Sequence, residues 1–199
     1  MLTLSELKEI SGLKPRTLQV WTDAAVLWAE ASTDRQGRGV HRRYKEIEAI
    51  IAVLIGEVAR YDIPVGALLA ASNSIRINLE DYIVFNSDAD GAVKWYKDDR
   101  RPDDCIVFSL LVRQAIVEGW RSYMFLSLSE SERRFYLNFC AFDNEVRKGV
   151  EEMIGEKYEW PSFDEIMNYT SIPSHQDGRA KSCIMIDLEK ALEPIRSLF

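Results

Sequence analysis

The amino-acid sequence predicts an α+β fold, in which a small domain of short helices with a basic hairpin precedes a small mixed α/β domain that contains a β-hairpin. Three observations predict it. Residues 2–44 combine two short amphipathic segments with a glycine-containing basic stretch, residues 75–96 alternate like paired strands, and two later apolar runs each precede a helical segment. The 199 residues are 47% hydrophobic, enough to bury one good core or two small ones. We place the domain boundary between residues 72 and 73.

The first predicted helix is short and amphipathic. Leu4, Leu7 and Ile10 recur at helical spacing, so one side of the segment is apolar. Thr3 or Ser5 can cap its start, because either side-chain oxygen accepts from the free amides of the first turn.

The second predicted helix follows a turn at Gly12, where the chain must reverse and a residue that tolerates positive φ is favoured. Pro15 stands in its first turn, where the missing N–H costs nothing. Leu18 and Trp21 point one side towards the core. The opposite side then presents four polar residues that suit phosphates and base edges: Lys14, Arg16, Thr17 and Gln19.

A basic hairpin follows over residues 29–44. Gly37 and Gly39 mark a tight turn between two short strands that end at Tyr44. Basic side chains flank the turn and can lie along a DNA backbone: Arg35, Arg38, His41, Arg42 and Arg43. For His41 a phosphate contact and a structural role both remain open. One helix and one β-wing on the same side are the arrangement of a DNA-binding domain.

With these motifs, residues 2–72 resemble the winged helix-turn-helix domain of the MerR family of bacterial transcription regulators. The family's Arg-Thr-Leu-aromatic recognition helix is matched by residues 15–18 (PRTL) with Trp21. Its Gly-Leu-hydrophobic exit resembles residues 25–28 (AVLW), and its wing ending resembles residues 39–44 (GVHRRY).

The two family helices after the wing are matched by residues 44–61 and by a helix that begins at residues 63–65 (IPV). Two residues depart from the family pattern. Gln19 replaces an Arg that many members use to contact DNA, which leaves the identity of the DNA site open. Asp62 replaces the usual Gly before the fourth helix.

The resemblance implies a sequence-specific transcription regulator that reads a palindromic site on double-stranded DNA as a homodimer. RNA polymerase or a small-molecule effector are possible further partners. The expected DNA-binding residues are Lys14, Arg16, Thr17, Gln19, Arg38, His41, Arg42, Arg43 and Tyr44. The core that holds helix and wing together should contain Leu7, Leu18, Trp21, Tyr44, Ile47, Ile51 and Leu54.

Charge divides the chain in the same way. Residues 1–45 hold eight basic and five acidic side chains, a net charge of +3. Because the whole chain carries −7, the remainder carries −10, and an acidic body repels DNA. We therefore expect DNA contact to be confined to the N-terminal face. So few phosphate contacts would bind weakly in a monomer, which favours a dimer.

We expect a cytoplasmic, nucleoid-associated protein with no membrane segment, because no apolar run approaches the ~18–20 residues that span a bilayer. Charged residues also interrupt the N-terminus, unlike a secretion signal. Cys105, Cys140 and Cys183 are far apart in apolar surroundings and are expected to be buried free thiols. No metal, cofactor or catalytic constellation is predicted, so we do not expect an enzyme. His175 and Asp177, in a polar loop, are discounted as a metal or general-base site.

The C-terminal part departs from the family, whose fourth helix usually leads into a long coiled-coil helix. Residues 75–79 alternate apolar and polar, residues 82–85 (YIVF) read as a strand, and Val93, Trp95 and Tyr96 read as a second strand after a turn. This pattern predicts a β-hairpin and no long coiled-coil helix.

Two later segments, residues 105–110 (CIVFSL) and 183–188 (CIMIDL), share a pattern. Each predicts a short buried strand whose terminal Ser or Asp caps a helix, over residues 110–122 and 188–198. They are either two strand–helix units of one mixed sheet or a chance similarity.

The longest helix is predicted between these segments. Ser129 and Glu132 form a capping-box pattern. Apolar residues follow at steps of three and four: Phe135, Phe139, Phe142, Val146, Val150 and Met153. The stripe is a core face, a subunit interface or one wall of an effector pocket.

Two alternatives to a transcription regulator remain at this point. The same DNA-binding module could act architecturally in a phage or mobile element, in packaging or excision. The C-terminal domain could instead be a protein-interaction platform that the DNA-binding head localises.

Overall fold

A computed structural model describes residues 1–33, 41–86, 88, 91, 93, 103–129, 134–162, 164–166 and 183–198. Over these residues the chain is a mixed α+β protein, as the sequence predicts, and it contains two small antiparallel sheets. The longest described helix has 15 residues, so this part of the chain contains no long coiled-coil helix. None of the described helices is both long and apolar enough to cross a lipid bilayer.

The N-terminal helices begin and end where the sequence predicts. Strand β1 (Leu2–Thr3) leads into α1 (Leu4–Ser11), and Thr3 forms a capping box with Glu6 at its start. Helix α1 ends at Gly12, which takes the left-handed conformation at φ 66°. Helix α2 (Pro15–Asp23) opens with Pro15 in its first turn.

The smaller sheet contains residues 43–44, at the end of the basic segment. Strand β2 (Arg43–Tyr44) pairs antiparallel with β1, and Ala29 forms a further antiparallel bridge to Tyr44. Strand β2 therefore pairs both with β1 and with the segment around Ala29. The predicted core of this region is confirmed: Leu7, Leu18, Trp21, Tyr44, Ile51 and Leu54 are buried, and Ile47 is half-buried against them.

Three helices follow up to residue 85, and a fourth begins at residue 103. They are α3 (Ile47–Ala59), α4 (Val65–Asn78), α5 (Asp81–Phe85) and α6 (Asp103–Val117). Helix α4 starts directly after Pro64, as predicted.

The predicted β-hairpin is wrong, because residues 75–78 continue α4 and residues 82–85 belong to α5. Val93, in the second predicted strand, is buried and has a helical backbone. Trp95 and Tyr96 lie outside the described residues.

The larger sheet has the strand order β4–β3–β5 and is antiparallel throughout, with β3 (Tyr123–Ser129), β4 (Arg134–Cys140) and β5 (Cys183–Asp187). The predicted strand at residues 183–187 is confirmed, and Asp187 caps α8 (Leu188–Leu192), which continues as a 3-10 helix (Glu193–Leu198). The predicted strand at residues 105–110 is wrong, because it lies inside α6. The single long helix from residue 129 is also wrong, because β4 and α7 (Asn144–Ile154) replace it.

The hydrophobic core is continuous across the proposed boundary between residues 72 and 73, which falls inside α4. Helix α4 packs on both α3 and β4, and the Ser74 hydroxyl donates to the Phe135 carbonyl at 2.6 Å. Helix α8 packs on α3. The N-terminal helices and the larger sheet therefore share one core.

Candidate nucleic-acid interface

A groove of about 570 Å³ lies between helix α2 and residues 41–44, which include strand β2. Its walls come from the start of α1, the C-terminal half of α2, and residues 41–44. Five of the predicted DNA-binding residues line it: Gln19, His41, Arg42, Arg43 and Tyr44. The fold therefore brings residues that are more than twenty positions apart in sequence to one surface.

An ion pair ties the two walls of this groove together. The Arg42 guanidinium lies 2.7 Å from the carboxylate of Asp23, the last residue of α2. Such partly exposed pairs contribute only ~0–1 kcal/mol to stability. The consequence of this pair is therefore mainly geometric, because it fixes the position of Arg42 relative to helix α2.

The backbone around Arg43 is held firmly while its side chain is exposed. The Arg43 carbonyl accepts from the Glu30 amide at 2.7 Å, and the Arg43 amide donates to the Thr33 hydroxyl at 2.9 Å. His41 is exposed as well. A guanidinium on a fixed strand and a neighbouring imidazole can both reach an anion outside the groove.

The N-terminal end of α2 adds a second group of polar side chains. Lys14 is the N-cap residue and makes no side-chain capping hydrogen bond, and both Lys14 and Arg16 are exposed. Thr17 and Gln19 are half-buried on the following turn. Because free amides and the helix dipole also make this end positive, it attracts anions.

The prediction that the Tyr44 side chain contacts DNA is wrong. Tyr44 is fully buried, and its hydroxyl lies 3.0 Å from the Thr22 hydroxyl of α2. Its ring therefore connects strand β2 to helix α2 from the inside, as the core prediction requires. Arg38 and the two hairpin glycines lie outside the described residues, so the predicted role of Arg38 stays a prediction.

Sequence reasoning missed a buried ion pair next to the hairpin strand. Glu48 of α3 and Arg76 of α4 are only 3% and 10% exposed, and their nearest atoms lie 2.8 Å apart. Arg76 also donates to the Val26 carbonyl at 2.7 Å, and its guanidinium lies 4.2 Å from the centre of the Trp28 ring. One signal could have revealed the pair, since Glu48 is an isolated charge in the apolar run of α3.

Two of the three cysteines have a thiol pKa above its usual value. Burial raises the pKa of the Cys140 thiol to about 12, and burial also raises the pKa of Cys183. Cys105 and Cys140 are buried free thiols, as predicted, whereas Cys183 is half-buried. In the part of the chain that the structure describes, no group of three or more His, Cys, Asp or Glu side chains is placed to hold a metal ion; His175 and Asp177 lie outside it.

No protein-family model matches this chain, and no curated protein matches it either.

Proposed function

We propose that this chain is a sequence-specific transcription regulator of the MerR type, whose N-terminal residues form a winged helix-turn-helix that binds double-stranded DNA. One observation carries the proposal. Strand β2 pairs with β1 and with Ala29, and this pairing brings His41, Arg42 and Arg43 to the same groove as Gln19 of α2. A recognition helix beside a basic strand can contact the major groove and the phosphate backbone of a duplex at the same time.

Two backbone conformations support the likeness to the family. The family has Gly at the exit of the second helix and before the fourth helix, and this chain has Ala25 and Asp62 there. Both residues take positive φ, at 59° and 55°. Positive φ is the conformation that favours glycine, so the backbone at both positions is one that the family's glycine would adopt readily.

The polar residues divide into two roles. Lys14, Arg42 and Arg43 contact phosphates, which gives affinity without sequence information. Arg16, Thr17 and Gln19 lie in the first turns of α2 and contact base edges in the major groove. Phosphate competes with the Asp23 carboxylate for Arg42, so the ion pair that positions Arg42 in the free protein opens when DNA binds.

The acidic remainder of the chain keeps DNA on the N-terminal face and supports a dimer on a two-fold site. With a net charge of −10, residues 46–199 repel the duplex. A second N-terminal face doubles the phosphate contacts, and two such faces read two half-sites of a palindrome.

Selection from a randomised duplex library by the full chain tests this function. We expect an enriched palindrome, and we expect Gln19→Ala to change the selected sequence. Arg43→Gln should instead weaken binding to all duplexes alike, because it removes a phosphate contact and leaves both backbone hydrogen bonds of Arg43 in place. A library that returns no enriched sequence would refute sequence-specific recognition.

Chromatin immunoprecipitation with sequencing separates regulation from the architectural role. Bound promoters support regulation, whereas bound recombination or packaging sites contradict it. Deletion of residues 1–72 is a poor test of an interaction platform, because the hydrophobic core continues across that boundary. The full-length variant Arg16→Gln with Arg43→Gln keeps the core. If this variant no longer binds DNA but still captures a protein partner, the result would contradict the proposal.

A further inference from the structure

A cavity of about 460 Å³ lies where residues 28–31 meet the start of α3 and the end of α4. Its volume is within the ~300–1,000 Å³ typical of small-molecule sites. Trp28, Ile47 and Leu79 supply apolar lining, and charged residues at its sides include Glu30 and Lys45. A concave, mainly apolar surface with a few polar groups is the usual form of such a site.

Trp28 is an aromatic residue that is both exposed and fixed in position. The side chain is 54% exposed, yet its Nε1 donates to the Ala25 carbonyl at 3.1 Å and its backbone amide donates to buried Glu48 at 2.9 Å. The Arg76 guanidinium lies against the ring at 4.2 Å. A ring held in this way loses little entropy when a ligand stacks on it.

The charges of the cavity indicate the class of ligand. Glu48 pairs with Arg76, and Glu30 and Lys45 carry opposite charges, so the charged lining residues sum to zero. The Arg76 nitrogens already donate within the protein: Nε and Nη2 to Glu48, Nη2 to Val26, and Nη1 to Ser72 and Asn73. Recognition must then come from stacking and apolar contact, without an ion pair to Arg76.

We propose that this cavity binds a planar aromatic molecule of no net charge, which stacks on Trp28. We further infer that its occupancy changes DNA affinity, an inference that rests on the proposed function. The path from the cavity to strand β2 is short, because the amide of the cavity residue Glu30 donates to the carbonyl of Arg43, and Ala29 is bridged to Tyr44. By linkage, DNA must change the affinity for the ligand by the same factor.

Saturation-transfer NMR on the full chain with 2-naphthol, a neutral planar probe, tests the binding. For its eleven non-hydrogen atoms a Kd of about 0.1–4 mM is expected. Trp28→Ala should weaken binding at least tenfold, whereas Trp28→Phe should restore part of it. Ile77→Ala is the matched control, since Ile77 follows Arg76 on α4, is 74% exposed and does not line the cavity. Equal affinity in the wild type and in Trp28→Ala, or no saturation-transfer signal up to the solubility limit of the probe, would overturn the proposal.

Duplex binding measured without 2-naphthol and with 2-naphthol near its solubility limit tests the coupling. We expect DNA affinity to change at least threefold in the wild type and to stay constant in Trp28→Ala. A wild type that binds the probe but keeps its DNA affinity would overturn the coupling alone. If no duplex binds under any condition, the proposed function fails, whereas the NMR titration still decides whether the cavity binds the probe.

Discussion

Replacing Arg76 with Met should destabilise the protein strongly, because it breaks a buried ion pair while keeping a long side chain. Arg76 is 10% exposed and Glu48 is 3% exposed. Without the guanidinium, the Glu48 carboxylate loses hydrogen bonds of 3.1 and 2.8 Å and keeps the Trp28 amide as its donor. The Val26 carbonyl loses its contact with Arg76 as well.

The expected loss is ~3–5 kcal/mol, the cost of leaving one buried charge without its partner. This is a large part of the ~5–15 kcal/mol that stabilises a typical domain. Replacing both partners, as in Glu48→Leu with Arg76→Met, removes the uncompensated charge. The double variant should therefore recover most of the loss.

Urea unfolding at pH 7, followed by circular dichroism, measures the difference. The matched control is Arg60→Met, because Arg60 pairs with Glu57 at the same 2.8 Å but the two side chains are 73% and 30% exposed. Its expected cost is at most ~1 kcal/mol. If Arg76→Met costs no more than Arg60→Met, or if the double variant is as unstable as the single one, the pair does not act as a buried ion pair.

Three further predictions concern backbone conformation, a buried hydrogen bond and a thiol. Ala25→Gly should stabilise the protein by ~0.5–1 kcal/mol in urea unfolding, because φ at Ala25 is 59°. The control Ala24→Gly should not stabilise it, because φ at Ala24 is −90°, and equal effects of the two substitutions would contradict the reasoning. Tyr44→Phe should cost ~0.5–1.5 kcal/mol by removing the contact with the Thr22 hydroxyl, and a neutral result would show that this contact contributes nothing. Cys140, with its pKa raised to about 12 by burial, should resist iodoacetamide at pH 8 until the chain unfolds, as mass spectrometry can measure; rapid native labelling would show that it is accessible.

The N-terminal elements could be predicted from sequence because their ends depend on local chemistry. A Thr that caps, a Gly that takes positive φ and a Pro that starts a helix each act within one turn of the backbone. The groove between α2 and β2 depends instead on strand pairing between residues that are far apart in sequence. For Tyr44 the sequence predicts both a core position and a DNA contact, because an aromatic at the end of a basic strand fits either, and the structure buries its side chain.

The predicted β-hairpin and the predicted long helix are wrong for the same physical reason. A step of four residues is one turn of a helix and also an even number along a strand, so it fits both. Ile75 lies on helix α4 and Leu79 lies just beyond its end. Both are buried, and Ile77 between them is exposed. Phe135 and Phe139 have the same spacing but lie on strand β4. Tertiary packing decides between the two structures.

The run at residues 105–110 was misread for a different reason. It is buried almost continuously, as a central strand would be, but it lies within a helix of 15 residues that other elements cover. A short apolar run carries no period that separates the two structures. The continuous core across residues 72 and 73 could not be predicted either, because sequence patterns do not show which elements pack together.

The salt dependence of duplex binding by the full chain tests the central claim most directly. Fluorescence anisotropy between 50 and 200 mM salt should show log K falling linearly with log salt, and Arg43→Gln should reduce that slope by about one unit. Lys148→Gln, on helix α7 of the acidic body, should leave the slope unchanged. No duplex binding at the lowest salt, or equal slopes for the wild type and Arg43→Gln, would contradict a DNA-binding face formed by α2 and β2.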